Sequence, residues 1–336
     1  MKTIIYYIIL VTLFLACKNE PVKESSLSAT QKNRVAPNNK MINPAYITFD
    51  ELQQGFSFNS KERIKITGNQ GTKIEFPENC FGDYNGKVSV KLVEVYDIGT
   101  MIKLNLTTET INDELLESGG MIFIEPTDSL GTVLMPQKKY SIDYTRNKDS
   151  RMQLFKTSKN KLSEPSEWEL LPNAKRPPIK RSEKVVFGRI LGETDTVNVY
   201  DEVETIEEQF IFETLSIGWL NCDRFILDNN EHLITQNFNV KGGDEDLTYI
   251  IVFKNYNTLV SRQPNSEGKV KFESLPKDEP VFGLAMKLEE DSVKLEIKEF
   301  ILSATNSIVF TNINKVGIDE FDSIAKELFT KDLWNR

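Results

Sequence analysis

Apolar and polar residues alternate with a period of two through most of the chain from residue 45 to residue 312. In Lys87-Val88-Ser89-Val90-Lys91-Leu92-Val93-Glu94-Val95-Tyr96 polar and apolar side chains largely alternate, the pattern of an extended strand with one side toward a core and the other toward water. Asn85-Gly86 directly before it supplies residues that tolerate the positive φ of a tight hairpin turn. The same pattern predicts strands over 63–67, 73–76, 121–125, 132–135, 140–144 and 152–156, separated by turn residues such as Asp128-Ser129-Leu130-Gly131. A second series is predicted over 184–189, 209–215, 249–254, 269–273, 281–287, 292–300 and 307–311. Helical spacing occurs at the end, where Phe321, Ile324, Ala325, Leu328 and Phe329 fall on one face of a helix over 319–333, with Asp319 placed to cap it. A short helix is allowed over 49–54.

Between the two series stands Pro172-Asn173-Ala174-Lys175-Arg176-Pro177-Pro178-Ile179-Lys180-Arg181. Paired prolines donate no backbone hydrogen bonds and continue neither a helix nor a central strand. The expected architecture is therefore all-β: one sandwich over 45–172, a linker over 173–183, a second sandwich over 184–314, and a C-terminal amphipathic helix within 315–336. The basic run in the linker is expected to be solvated.

The first residues follow a different rule. Lys2 precedes an apolar run from Ile4 to Ala16, about 13 residues, whereas a membrane-spanning helix needs roughly 20. A basic start, a short apolar stretch and a small residue before the break make a secretory signal over 1–16. Cys17 follows at once. From Lys18 to about residue 44 the chain is rich in Lys, Asn, Ser and Pro and poor in large apolar groups. It cannot repay the entropy of ordering, so 17–44 is expected to be a flexible tether.

About 320 residues lie beyond that signal, more than one core usually serves, which suits two domains. The formal charge of −9 offers no basic stripe to neutralise phosphate, which argues against nucleic acid as a partner. Cys80 and Cys222 are widely separated without a framework of spacing, so two small buried thiols are expected, a disulfide being the alternative.

Ala16-Cys17 at the close of an apolar run resembles the bacterial lipobox, although Phe14 and Leu15 depart from its preferred residues. The resemblance implies a thioether-linked diacylglycerol on Cys17 and acylation of the freed amino group. Two or three chains at roughly 0.8 kcal/mol per buried CH₂ hold a protein to a bilayer almost permanently. Gly71-Thr72-Lys73-Ile74-Glu75-Phe76-Pro77, Gly86-Lys87-Val88-Ser89-Val90 and Glu117-Ser118-Gly119-Gly120-Met121 resemble the ZU5-like β-domain of Bacteroidota envelope proteins. Leu215 to Phe225 looks like a phrase of lipoproteins from the same bacteria. These resemblances imply an outer-membrane lipoprotein whose β-domains act in protein interaction, with the surface and periplasmic faces both open.

Candidate chemistry is sparse. His232 is the only histidine and sits in an acidic, loop-like stretch, an available general base with no partner histidine. Zinc ligand spacings are absent from the sequence, and no cofactor is expected. Gly243-Asp244-Glu245-Asp246 lacks the alternation of a calcium loop and reads as an acidic turn. Gly119-Gly120 reads as a turn as well, Trp219 as core, and Arg224 as paired locally with Asp223. The expectation is a non-enzymatic module anchored through Cys17 that binds another envelope protein. A surface glycan-binding module is one alternative, marked by exposed aromatics in a row, and a hydrolase built on His232 or converging carboxylates is another.

Overall fold

The computed structural model describes residues 49–144, 151–157, 168–172, 174, 211–226, 232–240, 246–265, 267, 269–305 and 307–329. Cys17, the tether, the predicted strand over 184–189 and nearly all of the expected linker lie outside them. The described chain is all-β, with two pairs of facing sheets and a short C-terminal helix.

The first pair consists of a six-stranded and a four-stranded sheet. In order across the six-stranded sheet run β1 (Gln54–Asn59), β4 (Lys87–Val95), β5 (Leu116–Thr127), β10 (Gly218–Phe225), β7 (Gln153–Thr157) and β8 (Trp168–Leu170). The four-stranded sheet runs β2 (Ile64–Thr67), β3 (Lys73–Phe76), β6 (Tyr140–Asp143), β9 (Ile211–Thr214). The second pair has a three-stranded sheet, β14 (Lys269–Pro276), β11 (Leu233–Val240), β17 (Ser307–Phe310), and a five-stranded one, β13 (Leu259–Arg262), β12 (Thr248–Phe253), β15 (Pro280–Leu288), β16 (Ser292–Ile301), β18 (Asn314–Gly317). Among the described strands all pairings are antiparallel except β11 with β17. Three helices accompany them among the described residues: α1 (Phe49–Leu52), α2 (Ile98–Lys103) and α3 (Ile318–Phe329).

This pairing corrects the expected boundary at 173–183. The strands that follow it do not open a new sandwich: β9 pairs with β6, and β10 lies between β5 and β7. Prolines interrupt strands, but they do not decide which sheet the next strand joins. The first sandwich therefore extends to Phe225, and the second begins at β11.

Three apolar cores result. Val88, Val90, Leu92, Ile122, Ile124 and Leu154 face Ile74, Phe76, Tyr140, Ile142 and Phe212 inside the first sandwich. Phe238, Tyr249, Ile251, Val281 and Phe310 fill the second. The remaining core is shared, because Val93, Met121, Phe123, Phe155 and Trp219 of the six-stranded sheet meet Ile250, Val252, Leu284 and Met286 of the five-stranded one, together with residues of α2 and α3. Two sheets are thus covered on both faces. That explains why Met121-Ile122-Phe123-Ile124 and Tyr249-Ile250-Ile251-Val252-Phe253 are continuous apolar runs within antiparallel sheets.

The helix over 319–333 is observed as α3, which buries Phe321, Ala325 and Phe329 in the shared core. Asp319 lies within its first turn instead of capping it, where a carboxylate still faces the positive end of the helix dipole. The strand expected over 132–135 reduces to a single bridge between Thr127 and Val133.

Candidate functional site

The densest polar arrangement lies where the sandwiches meet. Asn221 faces Met121, whereas Asp223 faces Ser118, so β5 carries one more residue than β10 across this step. Gly119-Gly120, expected as a turn, is thus a β-bulge inside a strand. Gly120 holds φ at +137°, and a Cβ there would stand 2.2 Å from the Tyr96 ring. Only glycine fits. Tyr96 is itself held, its hydroxyl 2.6 Å from Thr72 Oγ1.

Residues 219, 221, 223 and 225 share one side of β10. Trp219 and Phe225 contact the shared core, which places Asn221 and Asp223 on the side facing the second sandwich. Asp223 is fully buried. The Asn221 amide donates to its Oδ2, while Oδ1 has no hydrogen-bond partner among the described residues. Burial pushes this carboxyl well above the usual carboxylate range; Ser118, the Gly119 amide and Asn221 offset part of the effect, and the charge of Glu117 adds to it. Burial therefore favours the protonated, uncharged form of Asp223. Arg224 does not pair with it, as expected from adjacency, but with Glu117, its cross-strand partner. Neighbours along a strand point to opposite faces, so a cross-strand residue is the nearer counter-ion.

The second sandwich clamps this region. Asn257 donates from Nδ2 to Ser118 O at 2.8 Å, and the Ser118 amide donates to Asn257 O at 3.0 Å. Thr258 Oγ1 donates to Leu116 O at 2.8 Å. The Thr108 amide donates to Leu259 O at 3.0 Å, and the Leu259 amide to Thr108 Oγ1 at 2.9 Å. Arg262 grips both carboxylate oxygens of Glu109 at 2.6 Å, a bidentate pair that fixes orientation as well as distance.

A second feature lies at the far end of the first sandwich. Beyond β5 the chain turns back on itself, the Asp128 amide donating to Thr132 O at 2.9 Å and the Leu134 amide to Pro126 O at 2.9 Å. Asp128 Oδ1 accepts from the amides of Leu130 and Thr132, each at 2.8 Å. The Thr132 amide leads the hydrogen bonds that hold this carboxyl below the usual range. The ribbon is thus ordered, yet it offers apolar groups to water: Leu130 is 89% exposed, Met135 53% and Val133 45%. Leu215, 45% exposed, lies in the β9–β10 crossover at the same end.

The residues singled out in the sequence do not converge. His232 is exposed and contributes only its carbonyl, which accepts from the Lys277 amide at 3.1 Å. Asp246 pairs with Lys287 at 3.0 Å, while 241–245 lie outside the described residues. Trp219 is fully buried, edge-on to Phe123 at 5.6 Å. Cys80 and Cys222 are free and buried, as two small thiols in the first core. A cleft of about 300 Å³ between α2 and α3 is lined by Asp97, Thr100, Lys103, Asp322 and Ala325. Its Lys103 is neutralised by Asp322 at 2.7 Å. Among the described residues no three His, Cys, Asp or Glu side chains group to hold a metal.

The bulge and the clamp escaped sequence reasoning because Asn221, Asp223 and Asn257 look like surface residues there. The available signal was Gly119-Gly120 inside an apolar run, a pattern that marks bulges. Comparison with models of protein families finds no match, and comparison with curated protein sequences finds none either.

Proposed function

We propose that this chain is an envelope lipoprotein, anchored to the outer membrane through lipid on Cys17, that works without catalysis as a protein-interaction module of the ZU5-like type. The observation that carries the reading is the ordered ribbon bearing exposed Leu130, Val133 and Met135, with Leu215 also exposed at the same end of the sandwich. Exposed aliphatic groups grouped on a rigid support mark protein contacts, because their desolvation is the gain on binding and little ordering entropy is lost. The tether over 17–44 would let this end reach a partner away from the lipid surface.

The glycan-binding alternative needs aromatic faces on which sugar rings stack. Among the side chains described, no aromatic ring is exposed, so the patch suits another envelope protein better than a sugar.

Two measurements test the reading. Cells expressing the protein should incorporate labelled palmitate into it, and Cys17→Ser should abolish the label; label that survives the substitution removes the anchor from the proposal. The intact lipoprotein, crosslinked in membranes, should capture the same protein reproducibly. Leu130→Asp combined with Met135→Asp should reduce that capture at least about tenfold, since losing two apolar anchors removes roughly 2–4 kcal/mol. Undiminished capture would place the interaction elsewhere.

A further inference from the structure

An unbroken set of hydrogen bonds runs from a buried acid to the second sandwich. The Asn221 amide donates to Asp223 Oδ2. Ser118 Oγ donates to Asn221 Oδ1 at 3.1 Å and accepts from the Gly120 amide at 3.2 Å. Ser118 then exchanges bonds with Asn257 through its own backbone, at 2.8 and 3.0 Å. Ser118 is therefore the one residue that holds the acid's partner, the bulge and the opposite sandwich together.

We propose that the Gly119–Gly120 bulge, with Asp223 on the paired strand and Asn257 bonded to Ser118, is a latch between the two sandwiches that closes on a protonated carboxyl and loosens when the proton leaves. The reason is burial without a counter-ion: Asp223 is fully buried, its Oδ2 accepts from Asn221 and its Oδ1 has no hydrogen bond among the described residues. A neutral carboxyl carries no charge to solvate, whereas a carboxylate sealed from water needs strong donors. The Ser118 hydroxyl and the Gly119 amide are near enough to favour it, but the hydroxyl can turn fully to Asp223 only by abandoning Asn221 Oδ1. Water is the other source, and it enters only if the seam opens. Either response dismantles the set of bonds at its central residue.

The charged and titratable groups near Asp223 leave this demand unmet. Glu117 repels a second negative charge, and Arg224, which would favour one, is already engaged by Glu117. Tyr144, which is neutral and fully buried, interacts with Asp223, Cys222 and Tyr96 and brings no positive charge. Asn257 contributes only neutral groups.

The sign of the effect follows from linkage. A carboxyl held above its unfolded value, about 4 for aspartate, takes up a proton on folding. Seam stability is then fullest at low pH and declines as the pH rises toward the folded value. Amide hydrogen exchange of the full chain between about pH 5 and pH 9, corrected for the intrinsic rate, reads this directly. Protection of the Ser118, Thr108 and Leu259 amides should fall at least roughly tenfold over that range, while Ile74 in the four-stranded sheet stays flat. Asp223→Asn, neutral at every pH, should hold seam protection constant. Glu117→Gln removes the repelling charge and should move the wild-type midpoint to lower pH, which keeps the test open if Asp223→Asn does not fold. Flat seam protection in the wild type, parallel loss at Ile74, or a midpoint unmoved by Glu117→Gln would each overturn the latch.

Discussion

Gly120→Ala should destabilise the protein by roughly 3–5 kcal/mol, the combined cost of a backbone region that non-glycine residues rarely occupy and of an overpacked contact. Both contributions trace to observed geometry: φ of +137° and a Tyr96 ring 2.2 Å from where the new methyl would lie. The ring cannot swing aside cheaply, since its hydroxyl is bound to Thr72. Urea denaturation of the wild type and the variant measures the difference. Adding Tyr96→Ala to Gly120→Ala should recover the steric share and leave the backbone share, so the two changes should be clearly non-additive. A loss below about 1 kcal/mol would mean that the bulge relaxes freely and would overturn the account of why β5 needs glycine at position 120.

The second large effect is expected at Trp219. Its indole is fully buried in the core that both sandwiches share, and truncating a tryptophan there to alanine should cost roughly 3–5 kcal/mol. Its reach is more telling than its size. Trp219 belongs to a strand of the first sandwich, yet Ile250, Val252, Leu284 and Met286 of the second line the same core. Hydrogen exchange should therefore accelerate in β12 and β15 as well as in β10, and thermal unfolding should stay a single transition. Loss of protection confined to β10 and its sheet would show that the sandwiches unfold independently despite their common core.

Most of the strands were legible because their side chains obey the rule that reveals strands. β3, β6, β15 and β16 lie where alternation or an apolar run between turn residues placed them, within a residue or two. β10 and β11 were missed for the same reason in reverse. Asn221 and Asp223 stand on the inward side of β10 and Gln236 is buried in β11, so the polar residues that interrupt the pattern are themselves interior. α2 was missed because six residues are too few for a helical period to register against neighbouring strands.

The candidate sites divide along similar lines. Leu130, Val133 and Met135 are visible in the sequence as apolar residues, but their exposure depends on where the ribbon turns after β5. Thr127 and Pro126 there are buried while the outward residues are not. The carboxyl of Asp223 carries no mark of its own in the chain. Its state is set by Ser118, Asn221 and Glu117, of which Ser118 and Glu117 lie more than a hundred places earlier.

What the sequence by itself determined is the all-β character, the position of most strands, the C-terminal helix and the burial of Trp219, Cys80 and Cys222. Each is a local matter of side-chain polarity set against a repeat of two or of 3.6 residues. Only the tertiary structure decided that β9 and β10 return to the first sandwich, that the two sandwiches share a core, and that an aspartate is sealed between them. Strand pairing is chosen by the free energy of burying whole faces against partners distant in the chain, and that quantity belongs to no single segment.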